Sequence, residues 1–555
     1  MKKKRYQYFL LILCCVSSFI LGGFFFETSE RIPLTAANVR QAQALIGLEF
    51  SPVEIDSMLT GLEEQRTSYE KLRAIPLPND VAPALVFNPM PTGFQLEQNR
   101  KPFRASDPGK VTLPKNREDL AFYSVNQLAY LLRTRQITSL ELTTFFLERL
   151  KTYGPKLECT ITLTEELALK QARKADEEIR AGKYRGLLHG IPYGAKDLLA
   201  VKGYKTTWGA APYKDQIIDA DATVIQKLEA SGAVLLAKLT LGALAMGDVW
   251  FGGVTRNPWD LKRGSSGSSA GSASAVAAGL MPFAIGTETL GSIVSPSSEC
   301  GTTGLRPTFG QVSLSGAMAL AWSMDKIGPI TRDVEDCAIV FNAIYGPDGK
   351  DLSVVDAPFN YDGNRKLSGI RVGYLKKAFE KDYPTKANDE ATLQKLKELG
   401  VNLIALDLPD LPASDLSFII DVESAAAFDE LTRSNRDDLL TRQSKNDWAN
   451  IFRVARFIPA VEYLQANRHR SRLIEEMNWR MKDVDVYVSP SFGGSNLVVT
   501  NLTGHPCVVL PNGFKSTRAP GSITFVGQLF GEDKLLTVAR AYQQATDFHR
   551  KHPTL

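Results

Sequence analysis

The apolar positions of this chain follow two rhythms, and the way they alternate predicts its architecture. From Ala36 to Leu62, residues such as Val39, Ala42, Leu45 and Ile46 recur at helical spacing. Ser124-Val125-Asn126-Gln127 and Thr138-Ser139-Leu140-Glu141 each match a capping box ahead of an amphipathic run, so a helix is expected to start at both. Thr164 to Lys183 reads as a long helix with its acids early and its bases late, the order that the helix dipole favours. A shorter helix over 222–230 is stopped by Gly232, and AVLLAKL from Ala233 has the unbroken apolar character of a buried strand. Near the C-terminus VDVYVSP (484–490), PCVVLP (506–511) and SITFVGQLF (522–530) are strand-like, and a helix closes the chain over 534–549. Helices alternating with strands from residue 118 onward predict an α/β fold around one large sheet with helices on both faces.

Residues 27–117 differ in texture. After the helical stretch they carry Pro76, Pro78, Pro83, Pro89 and Pro91 and then a charged run, with no chemistry visible in them. They read as a helical extension, an arm that wraps a larger body.

Composition changes this picture only at the N-terminus. Hydrophobic residues at 44% and charged residues at 23% are the balance of an ordinary globular protein. The formal charge of +4 is matched by Lys2, Lys3, Lys4 and Arg5, so the remainder is near neutral and nucleic acid is not expected as a partner. Behind those cations, Tyr8 to Phe26 carries no charge and is about long enough to span a bilayer. Residues 1–26 therefore predict a signal or anchor segment. The expectation that follows is an exported or membrane-anchored chain with its bulk outside the cytoplasm. Cys159, Cys300, Cys337 and Cys507 are widely spaced, with no C-x-x-C and no neighbouring histidine, so neither zinc nor a dithiol redox site is indicated. Free thiols and disulfides both remain open.

Three stretches are candidates for chemistry. The first is GSSGSSAGSAS, 264–274, in which nothing is larger than serine. Such tracts usually form linkers, but this one is followed by AVAAGLMPFAIGTETLGSIVSP, an apolar small-residue helix and then a second loop. The tract contains a G-x-S-x-G, Gly267 to Gly271, centred on Ser269. The residues before it, DLKRGSS, read as a turn rather than the strand a nucleophile elbow requires, and the required histidine is matched only by His505 in a buried-looking setting. The second stretch, HGIPYGAKDLLAVKG, places Lys196 at the end of a strand-like run among small and apolar neighbours, where burial lowers an amine's pKa and lets it act as a base. Its alternative is a strand-end lysine that reaches water. The third, GTETLGS (286–292), is a turn whose backbone N–H groups can converge on one point beside Ser292, as an oxyanion hole requires. Met246, Trp250 and Phe251 are candidates to line an acyl pocket, or are ordinary packing.

Taken together, HGIPYGAKDLLAVKG, RNPWDLKRGSSGSSAGSASAVAAGL and GTETLGSIVSPSSECGTTGLRPTFG, with SMDKIGPITRDVEDCAIV after them, resemble the amidase signature family of serine hydrolases. The resemblance spans residues 118–555 and implies a catalytic domain built on a large mixed sheet. It implies a Ser–cis-Ser–Lys triad, with Lys196 as base, Ser268 as the bridging serine after a cis peptide, and Ser292 as nucleophile. The backbone amides of Thr289, Leu290, Gly291 and Ser292 would form the oxyanion hole. The implied reaction hydrolyses a small-molecule carboxylic amide to an acid and ammonia or an amine through an acyl-enzyme, with no cofactor. This sequence departs from the family pattern at Leu290, commonly glycine, at Val294, where many members carry arginine, and at Thr287-Glu288, which replaces a frequent Thr-Asp. Two other roles compete: a tRNA-dependent amidotransferase's A-type component, and an inactive membrane-anchored binding protein.

Overall fold

The computed structural model describes residues 33–555, and the chain divides into two compact units, one through Leu77 and one from Pro78. In the first, the helical rhythm is split into two helices, Ala36–Ile46 and Pro52–Arg73. Gly47 explains the break: at φ +68° it occupies the left-handed region that glycine enters freely, and its N–H closes the first helix on the Gln43 carbonyl. Ser51 then opens the second helix through a capping box with Glu54, with Pro52 at the first helical position.

In the second unit, from Pro78 to Leu555, eleven strands form one mixed sheet. In chain order they are β1 Thr160–Leu163, β2 Pro192–Lys196, β3 Val234–Leu239, β4 Phe283–Glu288, β5 Thr303–Arg306, β6 Lys326–Thr331, β7 Val372–Leu375, β8 Leu403–Leu406, β9 Val486–Pro490, β10 Cys507–Phe514 and β11 Pro520–Gly527. Across the sheet they run β1-β3-β2-β4-β6-β5-β10-β11-β9-β7-β8. β2 is parallel to both β3 and β4, and β4 meets β6 antiparallel. The α/β fold with a large mixed sheet is thus as expected. β2, β3 and β4 are buried along their whole length, the condition of strands covered on both faces.

The expected capping boxes form at Ser124 and Thr138. At Thr164 the hydroxyl instead donates to the Leu235 carbonyl at 2.7 Å, pinning the start of the helix Glu165–Arg180 to β3. Gly232, at φ +84°, separates the helix Thr223–Ala230 from β3 as the sequence predicts. Cys159, Cys300, Cys337 and Cys507 are all free and buried.

The expectation of an exported or membrane-anchored protein is corrected here. No helix among the described residues is long and apolar enough to cross a membrane. The three that are long enough, Pro52–Arg73, Ser139–Leu157 and Ala460–Met481, carry charged side chains such as Glu54, Arg66, Glu148, Arg149, Glu462 and Arg470 along their length, which a hydrocarbon core would not accommodate. The run Tyr8 to Phe26 on which the expectation rested lies outside the described residues.

Candidate active site

The site is assembled where β2 and β4 end side by side. Gly194 in β2 has no room for a side chain, since a Cβ there would lie 2.5 Å from Leu239 Cδ1 and 2.6 Å from Met281 Sδ. This close packing carries Lys196, the last residue of β2, into the interior with none of its surface exposed. Its ammonium group has a compact set of partners. Nζ donates to Ser268 Oγ at 2.9 Å, to Thr287 Oγ1 at 2.9 Å and to Ser269 Oγ at 3.1 Å, with the Thr287 carbonyl at 3.4 Å. Burial lowers its pKa to about 7, against the opposing fields of Asp325 and Glu288. Lys196 does not reach water, so the alternative of a solvated strand-end lysine falls away.

The small-residue tract owes its composition to steric limits. It follows a short hairpin of Arg256–Asn257 with Asp260–Gly264, so a strand does precede it, although that strand belongs to a separate two-stranded ribbon and not to the main sheet. DLKRG has no alternation of apolar and polar residues and is largely exposed, which is why it reads as a turn. A Cβ on Gly267 would stand 1.9 Å from the Gly247 carbonyl oxygen, and one on Gly271 would stand 2.4 Å from that of Cys159. The Gly267–Ser268 peptide bond is cis. The helix Ala270–Ala277 then runs wholly buried. The backbone contact of Gly247 with Gly267 also sets Met246 beside the tract, while Trp250 and Phe251 pack edge to face at 4.9 Å.

Ser269, the centre of the G-x-S-x-G, is committed elsewhere. Its Oγ accepts from the Thr287 N–H at 3.1 Å and donates to the Thr287 carbonyl at 3.0 Å, besides accepting from Lys196. Its N–H donates to the Ser292 carbonyl at 3.1 Å, which draws the tract and the second loop together. His505 is buried with its Nδ1 2.7 Å from Thr503 Oγ1, and burial pushes its pKa down to about 3.

The loop itself starts later than its sequence suggests, because Gly286, Thr287 and Glu288 belong to β4. The turn proper is Thr289 to Ile293, with Gly291 at φ +96°. Among the described residues, the N–H groups of Leu290, Gly291 and Ser292 have no hydrogen-bond partner, and Ser292 is partly exposed. Glu288 ties down the far end. Its Oε2 accepts from Ile293 N–H at 2.8 Å and Val294 N–H at 2.9 Å, while Oε1 accepts from Arg306 Nη1 at 2.7 Å and Asn501 Nδ2 at 3.0 Å. Burial would raise this carboxyl, but the Arg306 charge and these hydrogen bonds outweigh it and hold the pKa near about 2. Leu497 leans over the turn, 3.1 Å from where a Cβ on Gly291 would lie, and Val294 sits in a buried apolar cluster with Met324 and Leu502.

Of the residues the resemblance assigns, the structure sets Lys196 against Ser268 and draws the tract to the 289–292 turn; Ser269 as a clamp on Thr287 and the Glu288–Arg306–Asn501 group were not anticipated. A lone glutamate in the otherwise uncharged stretch GTETLGS is the one available signal for the latter.

An amidase family model matches residues 141–497. The A-type component of the glutamyl-tRNA(Gln) amidotransferase from Acinetobacter baumannii (strain ATCC 17978) is 33% identical over 488 residues, covering 79% of this chain and 99% of that protein. Among solved structures, native peptide amidase from Stenotrophomonas maltophilia is similar at TM-score 0.69 and 28% identity, covering 78% of this chain and 98% of that one. An amidase family protein from Bacillus anthracis str. Ames matches at TM-score 0.71 and 27% identity, covering 79% and 93%. With its motifs, its sheet and the length of these matches in agreement, the chain belongs to the amidase signature family and is an amidohydrolase.

Proposed function

We propose that this enzyme hydrolyses a linear carboxylic amide through Ser292, with Ser268 as proton relay and Lys196 as the base. The observation that carries this is the buried amine of Lys196, held 2.9 Å from Ser268 Oγ by hydroxyl and carbonyl partners and lowered to about 7. An amine in that setting is neutral for much of its time near neutral pH and can take a proton. In the proposed sequence Ser292 Oγ attacks the amide carbonyl carbon as its proton passes to Ser268 Oγ, whose own proton passes to Lys196 Nζ. The N–H groups of the 289–292 turn receive the negative charge that develops on the carbonyl oxygen. The relay then runs in reverse, delivering a proton to the departing nitrogen as the C–N bond breaks. Water, deprotonated along the same path, attacks the acyl-enzyme and releases the acid.

The test is a pair of variants. Ser292→Ala should abolish hydrolysis of a simple amide and labelling by a fluorophosphonate probe, whereas Ser269→Ala should leave measurable activity. The reverse pattern would assign the nucleophile to the G-x-S-x-G, and no labelling of folded protein would favour a binding role. A second role, as the A-type component of an amidotransferase, is supported by the match over 99% of the Acinetobacter protein's length. It predicts that the chain alone releases little ammonia from free amides until partner proteins are added. Val294, apolar and buried where many relatives carry arginine, weighs toward an uncharged substrate and the hydrolase.

A further inference from the structure

The turn that carries Ser292 is tied at both ends, and the second tie comes from Asp325 and Lys326, in the SMDKIGP stretch to which the resemblance assigned no role. Thr289, its first residue, donates from Oγ1 to Asp325 Oδ1 at 2.6 Å. The other oxygen of Asp325 accepts from the N–H groups of Leu320 at 2.8 Å and Ala321 at 3.0 Å, so the carboxylate is fully engaged although it is nearly buried. The next residue, Lys326, opens β6 directly opposite Glu288 of β4, and its Nζ lies 3.5 Å from the Thr289 carbonyl while also donating to Met324. Thr289 is therefore held at its hydroxyl by Asp325, with the Lys326 ammonium facing its carbonyl. That carbonyl belongs to the peptide unit whose other end is the Leu290 N–H. Turning this unit swings the N–H, so whatever fixes Thr289 fixes the aim of the Leu290 donor.

We infer that Asp325 is a positioning residue for amide hydrolysis, holding the Thr289–Leu290 peptide so that the turn's N–H groups converge on the developing oxyanion. The inference rests on the assignment of Ser292 as nucleophile proposed above. Its physical basis is that oxyanion stabilisation depends on donors fixed in advance, and displacement by about 1 Å costs on the order of 100-fold in rate. Asp325 touches no reacting atom; its field also raises Lys196, so Thr289→Val, which leaves that charge in place, isolates the contribution that passes through Thr289.

The test measures kcat and KM of the full chain per serine titrated to completion with a fluorophosphonate. Asp325→Asn should leave most Ser292 titratable and lower kcat per titrated serine by about 100-fold, with KM changed by less than about threefold. Thr289→Val, which keeps the shape and removes the hydroxyl, should lower kcat by about tenfold, equivalent to one lost hydrogen bond. Thr289→Ser, which restores the hydroxyl, should recover most of that loss. If kcat per titrated serine equals wild type in both Asp325→Asn and Thr289→Val, or if only the titratable fraction falls, Asp325 serves the fold alone and the inference is overturned. Should Asp325→Asn fail to fold, the Thr289 pair decides the matter. Hydrolysis that survives Ser292→Ala would overturn the nucleophile assignment itself, and is thereby told apart from a failure at Asp325.

Discussion

Two lysines buried to the same degree sit on neighbouring strands, and only one of them is placed to act as a base. Lys238 in β3 pairs with the Asp197 carboxylate at 2.6 Å, and also donates to the Lys205 carbonyl and to Thr206 Oγ1, each at 3.0 Å. Lys196, in β2, is surrounded by three hydroxyls and a carbonyl. Both side chains are wholly buried, and burial lowers both amines. The difference lies in what each would lose with its proton. Deprotonating Lys238 would leave Asp197 as a buried, uncompensated charge, so the pair is held in its ionic form. Lys196 has no carboxylate in contact, and Ser268, Ser269 and Thr287 can each reverse the direction of a hydrogen bond when the amine becomes an acceptor. Burial supplies the shift in each case, and the partners decide whether a proton can move.

The comparison can be tested from either side. The largest expected effect is on Lys196→Met, which should lower kcat by about 1,000-fold or more while leaving a folded protein, as judged by thermal melting. Lys238→Met should do the opposite. It should cost about 3–5 kcal/mol of stability by stranding Asp197, measured by denaturant titration, with kcat per titrated serine unchanged. Equal losses of activity in the two variants would dissolve the distinction. The pH profile sharpens it further. Since the amine must be neutral to accept a proton and burial lowers it to about 7, kcat/KM should fall roughly tenfold per pH unit below about 7 and level off above. An acid limb centred above pH 9 would mean that Lys196 is not the group titrating. The smallest effect is expected for Ser269→Ala, about tenfold in kcat, because Ser269 supplies one of several hydrogen bonds to the amine.

How far the sequence revealed this site depends on the range of the interaction. Lys196 at the end of a buried strand, and the loop that ends in Ser292, follow from local patterns that a pass along the chain can register. The Gly267 and Gly271 positions are legible as a composition, though their cause is not: the atoms that exclude a side chain are the carbonyls of Gly247 and Cys159. The clamps are beyond local reading altogether. Glu288 meets Asn501, and Thr289 meets Asp325, only because the sheet order places β6 and the helix Asn496–Leu502 against the end of β4. Register and crossover, set by the global fold, determine those contacts. The short strand Asp260–Gly264 was missed for a different reason: its exposed charged residues leave no apolar face to mark it.

The four buried thiols offer a way to watch this architecture move. Cys159 precedes β1, Cys300 ends the helix that follows Ser292, Cys337 lies in the helix Val334–Ile344 and Cys507 opens β10. All are closed to solvent, and burial raises every one above the ordinary thiol range. A thiol so placed reacts with an alkylating reagent only when its own neighbourhood opens. With the two further cysteines of the sequence, Cys14 and Cys15, which lie outside the described residues, replaced by serine, the four alkylation rates become four independent clocks of local opening. The Cys300 clock reports on the helix that follows Ser292, and its slowing on acylation of this proposed nucleophile would measure how much the substrate stiffens that segment.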